Sequence, residues 1–248
     1  MISLNGAYGE GGGQIVRTAL ALSTILGAPF EATGIRKGRK GPGLKQQHVT
    51  CISALKEFCG ASCEGGELGS DKIKYTPGKI KPQTLSIDIG TAGSITLLLQ
   101  SLLLPCILAD GKVRLHIKGG TDVQWSMPID YFSELLLVQL KKYADIDFKL
   151  EQRGYYPKGN GSIELKIKGK YNLENKSSAK KIDLVEQGDL MQVKGVANAS
   201  YDLMNVQVAD REAKAAKMYL SRLDVPVNIR VEYKESLSTG TGITLWAI

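Results

Sequence analysis

The sequence has no apolar run of the roughly 18 to 20 residues that a membrane-spanning helix needs, which removes helical membrane proteins from consideration. Met1 to Glu10 shows no basic region followed by an apolar stretch, so nothing there reads as a secretory leader, and a cytoplasmic protein is expected. Histidine is scarce. With only His48 and His116, and with Cys51, Cys59, Cys63 and Cys106 forming no CxxC pair, a zinc cluster has too few well-spaced ligands, and the cysteines read as reduced core thiols. No Gly-Lys-Ser/Thr follows a glycine-rich run, so a Walker loop is absent, and the GxGxxG spacing of a dinucleotide fold is also missing. The most informative absence is that of acids. Between Glu31 and Glu57 there is none, yet Arg36, Lys37, Arg39, Lys40, Lys45 and Lys56 all fall there. Solvated faces usually mix both signs, so this stretch predicts a local basic surface, and the net charge of +7 agrees with a polyanionic partner.

The 248 residues, 43% hydrophobic, suffice for one large or two modest domains. Two stretches share a plan. Gly9 to Gly13 leads into Gln14 to Leu26, whose apolar residues recur at helical spacing, and Pro29 to Ile35 then reads as a strand. Gly90 to Gly93 leads in the same way into a leucine-rich helix over Ser94 to Ala109, followed by a strand over Val113 to Ile117. Each continues with a second helix, His48 to Phe58 or Pro128 to Tyr143. Strand-like segments follow, Lys72 to Tyr75 in one, Asp147 to Leu150 and Ser162 to Ile167 in the other. A duplicated α/β unit of roughly 80 residues, about 1–79 and 80–168, is the simplest account. The polar, lysine-rich stretch Gly169 to Lys181 predicts a linker. Beyond it, a strand over Met191 to Val196, a helix over Val208 to Leu223 and strands over Val227 to Tyr233 and Ile243 to Trp246 predict a small β-α-β-β domain over 182–248.

Glycine-rich entrances to helices suit anions, because unpaired backbone N–H groups and the positive end of the helix dipole converge there. Tyr8-Gly-Glu-Gly-Gly-Gly-Gln14 is such an entrance, and its Glu10 makes sense as a ligand for a metal bound to phosphates. Gly90-Thr-Ala-Gly-Ser94 is a second. Gln100, a lone amide in an apolar helix, calls for a partner, which a backbone group in the core would satisfy equally well. Gly119-Gly-Thr-Asp122 reads as a loop, and Pro128 with Tyr131 offers either core packing or a flat surface for a base.

Taken in order, Asn5-Gly-Ala-Tyr-Gly-Glu-Gly-Gly-Gly-Gln-Ile-Val-Arg17, Ile35-Arg-Lys-Gly-Arg39, Pro42-Gly-Leu-Lys-Gln-Gln-His48, Gly90 to Ser94, Gly119 to Asp122 and Arg153-Gly-Tyr-Tyr-Pro-Lys-Gly159 resemble the RNA 3'-terminal phosphate cyclase family. The resemblance implies an α/β (α+β) protein, with a large domain of repeated units over 1–168 and a smaller inserted, thioredoxin-like β-α-β-β domain. It implies an ATP-dependent enzyme of the ligase class, working with Mg²⁺ or Mn²⁺ on RNA that ends in a 3'-phosphate. AMP is placed on a histidine, passed to the RNA 3'-phosphate, and displaced by the 2'-hydroxyl to leave a 2',3'-cyclic phosphate. By the same resemblance Glu10, Gln14, Gln100, Pro128 and Tyr131 would bind ATP, with Glu10 also on the metal, while Arg17, Arg36, Arg39 and Gln47 would line the RNA phosphate site. The family's third repeat and its adenylated histidine are expected beyond Ile248. No catalytic histidine is then expected among the residues present, and the 248-residue chain is expected to be inactive by itself. Noncatalytic relatives that bind RNA or protein in ribosome assembly are the alternative. The match of Glu10, Gln14 and Arg17 to the active branch favours the enzyme.

Overall fold

The computed structural model describes all residues, 1–248, as a mixed α/β protein with three sheets. In the first unit, β1 (Ile2–Asn5), α1 (Gln14–Leu26), β2 (Phe30–Thr33), α2 (Gln46–Cys59), β3 (Ser62–Glu64) and β4 (Ile73–Thr76) form a four-stranded sheet of order β1-β2-β4-β3. In the second, β5 (Thr84–Asp88), α3 (Ile95–Ile107), β6 (Lys112–Gly119), α4 (Ile129–Tyr131), α5 (Leu137–Leu140), β7 (Ala144–Gln152) and β8 (Gly161–Gly169) form the sheet β5-β6-β8-β7. The two orders correspond strand for strand. Each pairs its first two strands in parallel across a helix and its remaining strands antiparallel.

The strands alternate because one face is covered. On β6, Val113, Leu115 and Ile117 point into the core, whereas Lys112, Arg114 and Lys118 point to water. Helix α3 is buried on nearly every side, against β6 and β8 of its own unit and against α1 and α2 of the other. One hydrophobic cluster therefore runs through both units, from Val16, Phe30 and Phe58 to Leu98, Leu115 and Leu165, and makes them a single body. Cys51, Cys59 and Cys106 are buried in it as free thiols, and Cys63 is half-buried.

Segments differ from the sequence expectation where local signals were faint. The short strands β1, β3 and β5 were not predicted. The helix expected over Pro128 to Tyr143 is interrupted by a π-helical stretch, Phe132–Leu136, between α4 and α5. The strand expected at Met191 to Val196 is displaced, because β9 (Val193–Ser200) runs on through Ala-Asn-Ala-Ser, residues of poor strand propensity held in place by strands on both sides.

Residues 170–192 carry only a short 3₁₀ turn, Lys176–Ser178, before β9, α6 (Val208–Leu220), β10 (Val227–Lys234) and β11 (Thr241–Ala247) form a sheet of order β10-β9-β11. Its own core is small, centred on Ala197, Ala199, Ala209, Ala213 and Ile229. Polar contacts with the second unit supplement it. The fully buried Arg153 pairs with Asp122 at 3.1 Å, with Asp130 at 2.9 Å and, across the junction, with Glu232 on β10 at 3.0 Å. Tyr155 donates its hydroxyl to Asn198 of β9 at 2.6 Å, and Gly240 lies so close to the Tyr155 ring that a Cβ there would sit 2.2 Å from it. Burial works against the Arg153 charge, but Asp130, Asp122 and Glu232 outweigh it and hold the guanidinium charged. Asp122 responds in the opposite sense. Burial raises its pKa more than its share of Arg153 lowers it, since that one cation serves three carboxylates.

His48, in the first turn of α2, accepts the Lys45 backbone N–H at Nδ1, 3.0 Å away, and so caps the helix. Burial first, then the neighbouring Arg17 and Arg36, lower its pKa to about 4.

Two outcomes follow for stability. Arg153→Ala leaves Asp130 and Asp122 without their cation, while Glu232 keeps Arg230 at 2.7 Å, and should cost about 3–5 kcal/mol in urea unfolding; a loss below about 1 kcal/mol would mean that the two aspartates are satisfied without it. His48 binds a proton less readily folded than unfolded, so the stability it contributes is present above its unfolded value near 6.5 and is lost as pH falls towards 4. Between pH 7 and pH 4 the wild type should lose up to about 3 kcal/mol more than His48→Asn, which keeps an acceptor for Lys45. Parallel pH profiles would refute this.

Candidate anion and nucleotide site

The packing of α3 against α1 and α2 brings the N-terminal ends of three helices together, and none of them carries an acid in its first turn. No acidic side chain within these first turns offsets their positive dipole ends. Around this point the structure gathers most of the residues singled out from the sequence. Arg17, buried on α1, donates from Nε to Gln100 Oε1 on α3 at 2.9 Å, so Gln100 finds its partner in the other unit and not in a backbone group. Gln47 on α2 likewise donates across units, to the Ser94 carbonyl at 2.7 Å. Ser94 caps α3, its hydroxyl accepting from the Leu97 N–H at 3.3 Å.

Arg17 Nη1 lies 3.5 Å from His48 Nε2. Because His48 Nδ1 already accepts from Lys45, the neutral ring carries its proton on Nε2, so two donors face each other with no acceptor between them. Both crowd Gly13 at the entrance to α1, where a Cβ would lie 2.2 Å from His48 Nε2 and 2.9 Å from Arg17 Nη1. The backbone at this entrance is open because residue 13 has no side chain. Arg36 adds a third unsatisfied group, since its Nε is buried with no hydrogen-bond partner, and its backbone is held at φ 57, a left-handed conformation uncommon for a side chain of this size. Burial lowers the pKa of Arg17, and Arg36 lowers it further; burial and then Arg39 do the same to Arg36. The cations destabilise one another. An anion among them would relieve that repulsion and supply the missing acceptors.

Glu10 sits at the rim with an exposed side chain, and Arg39 donates to its carboxylate at 2.7 Å and to its backbone carbonyl at 3.0 Å. No group of three or more acidic, histidine or cysteine side chains forms a metal cage. Glu10 therefore fits a metal only in the manner of Mg²⁺, which takes one or two protein carboxylates and draws its other oxygens from phosphate and water.

Beside the cations, a cleft of about 350 Å³ opens between α1, α3 and the π-helical stretch. Gln14 and Gln100 are among its polar lining groups, and Leu22, Leu103, Phe132 and Leu136 are among its apolar ones. A flat, weakly polar ring suits such a wall. Pro128 and Tyr131 lie on the adjoining turn, both exposed; their neighbours Met127 and Phe132, and not they, line the cleft.

No catalytic role is expected for His48 from the sequence. It does cap a helix, but it also stands at the centre of the cationic group, and its position directly after Gln47 was the available signal. His116 lies elsewhere, half-exposed on β6 and 3.9 Å from Glu164. No helix is long and apolar enough to cross a membrane.

The family described as RNA 3'-terminal phosphate cyclase matches residues 8–229. Proteins named RNA 3'-terminal phosphate cyclase from Pyrococcus abyssi and Pyrococcus furiosus are 41% and 42% identical over 248 residues, covering all of this chain and 70% of each relative. One of the same name from Methanopyrus kandleri is 39% identical over 254 aligned positions, again across the whole chain and 70% of its own length. Matched along its entire length, the chain belongs to the RNA 3'-terminal phosphate cyclase family.

Proposed function

We propose that the chain serves the ATP-dependent cyclisation of RNA 3'-phosphates, and that the junction of α1, α2 and α3 holds the reacting phosphates. One observation carries the assignment of the site: Arg17 Nη1, His48 Nε2 and Arg36 Nε are donors without acceptors, packed at an acid-free helix entrance. In this reading Arg17, Arg36 and Arg39 bind the terminal RNA phosphate as charged forks, with Gln47 beside them, and Glu10 presents one oxygen to a Mg²⁺ or Mn²⁺ ion on the ATP phosphates. Gln14 and Gln100 orient the nucleotide at the neighbouring cleft, and Pro128 with Tyr131 offers a flat edge to its adenine.

The chemistry is activation followed by intramolecular displacement. A histidine nitrogen takes AMP from ATP with release of pyrophosphate, and an oxygen of the RNA 3'-phosphate then attacks the phosphorus of that AMP, breaking the P–N bond and forming a phosphoanhydride. The ribose 2'-oxygen then attacks the RNA phosphorus, its proton goes to solvent, and the P–O bond to AMP breaks. The 2'-hydroxyl is already adjacent to that phosphorus, so the protein need only hold the phosphate and offset charge on the departing AMP. The histidine that carries AMP between these partners belongs, in this reading, outside residues 1–248. His48 cannot serve, because freeing Nε2 as a nucleophile would move its proton to Nδ1, against the Lys45 N–H. His116 lies half-exposed on β6, 3.9 Å from Glu164 and apart from the cations.

Binding of a 3'-phosphorylated single-stranded RNA should weaken with salt, and Arg36→Ala/Arg39→Ala should flatten the slope of log K against log salt by about 1.4, the value for two phosphate contacts on a single strand. An unchanged slope would return both residues to an ordinary solvated face. Incubated with ATP and Mg²⁺, the 248-residue chain should take up no acid-labile AMP. Labelling that disappears in His48→Asn would overturn the assignment of that residue.

A further inference from the structure

A second cavity, about 670 Å³, opens between the second unit and the small domain. Its walls come from the α3 entrance, the loop after β6, the loop carrying Tyr155 and Tyr156, and Thr239–Thr241 before and at the start of β11. Two of its side chains are displayed to solvent against the usual preference of large rings for burial. Trp125, at 96%, is the most exposed large apolar side chain of the protein, and Tyr156, 76% exposed, stands on the wall of the same cavity. Trp125 is, moreover, held at φ 64, a left-handed backbone that bulky residues rarely adopt and that persists where the surroundings impose it. Neither ring takes part in an aromatic pair within the chain.

The cavity is nearly neutral. Its one carboxylate, Asp122, is tied to Arg153, and Gln47 and Gln124 supply polar groups. That character suits base faces and edges better than phosphates, which the cationic group next door would take. The two sites are continuous, because Gln47 and Ser94, which tie α2 to α3 beside Arg17 and His48, also line this cavity. A strand whose terminal phosphate occupies the cations must leave along an adjoining surface, and this one sets two exposed rings, Trp125 and Tyr156, around a single cavity.

We propose that the cavity is a subsite for single-stranded RNA, in which bases on the 5' side of the terminal phosphate stack on Trp125 and Tyr156. The proposal rests on the reading of the cationic group as the terminal-phosphate site. It adds a role for Trp125 and Tyr156 in holding the substrate strand, and it makes the tightness of binding depend on strand length with little preference for sequence, since every base has a face to stack.

Three probes separate the two readings: a tetranucleotide with a 3'-phosphate, the same tetranucleotide with a 3'-hydroxyl, and a nucleoside 3'-phosphate. Each is titrated against the 248-residue chain by calorimetry and by tryptophan fluorescence, with Trp246, half-buried on β11, as the internal control. Both tetranucleotides should quench Trp125, and the 3'-phosphorylated one should bind more tightly than the nucleoside 3'-phosphate. Trp125→Ala should weaken both tetranucleotides about five- to 150-fold, the range for losing one stacked base, and leave the nucleoside 3'-phosphate unchanged. Trp125→Phe should retain most of the affinity while losing the quenching, and Tyr156→Ala should weaken the tetranucleotides in the same selective way. Tetranucleotide affinity within twofold of wild type in Trp125→Ala would overturn the subsite, as would equal weakening of all three probes. Equal binding of the two tetranucleotides, with quenching intact, would instead overturn the phosphate site and leave the stacking surface standing.

Discussion

Helix α3 offers water almost nothing polar except Gln100, and the structure is organised around covering it. One side of the helix lies on its own sheet and the other on α1 and α2 of the preceding unit, so neither unit can be completed without its neighbour. Burying this helix is a hydrophobic requirement, but its consequence is electrostatic. Three helix entrances that lie far apart in the chain are drawn to one place, with α2 bonded to the second glycine-rich loop through Gln47 and Ser94 and α1 bonded to α3 through Arg17 and Gln100. A site that belongs to neither unit alone results from packing that serves both.

The site itself runs against what packing would favour. Burial lowers the pKa of both Arg17 and Arg36, with Arg36 lowering Arg17 further and Arg39 lowering Arg36, while His48 is buried as a donor facing a donor and Arg36 carries an unsatisfied buried nitrogen. Such conflicts are uncommon in cores, where polar groups are paired, and in the proposed reading a bound anion would resolve them. Only Glu10, from the exposed rim, opposes the charge.

The small domain shows the opposite arrangement, with buried charge paired internally. Its core is built from alanines and one isoleucine, too little to hold it firmly by apolar burial alone, and Arg153 joins it to the second unit through Glu232 while holding Asp122 and Asp130. A buried ion cluster of this kind adds less net stability than an apolar contact of equal size, but it is exacting about position, since a displaced carboxylate would be left without its cation. The cavity beside it inherits that position: Asp122 and Tyr155, members of the junction, are also walls of the groove next to Trp125.

Periodicity alone located α1, α2, α3 and α6 to within a residue or three, because each presents a long apolar pattern, and the repetition of glycine entrance, helix and strand was visible in the same way. The short strands β1, β3 and β5 left no comparable trace: three to five residues are too few for alternation to speak, and their place is decided by the strands they pair with. The candidate residues were legible as types, since cations without acids and glycines before helices carry their chemistry in their composition. Which of them meet was not legible. Arg17 reaches Gln100 across 83 positions of sequence, His48 turns from a capping residue into the centre of a cationic group, and Pro128 and Tyr131 stay on the rim while their neighbours line the cleft. Those relations follow from burying a helix shared by two units, a constraint between segments distant in the chain that no local pattern can record.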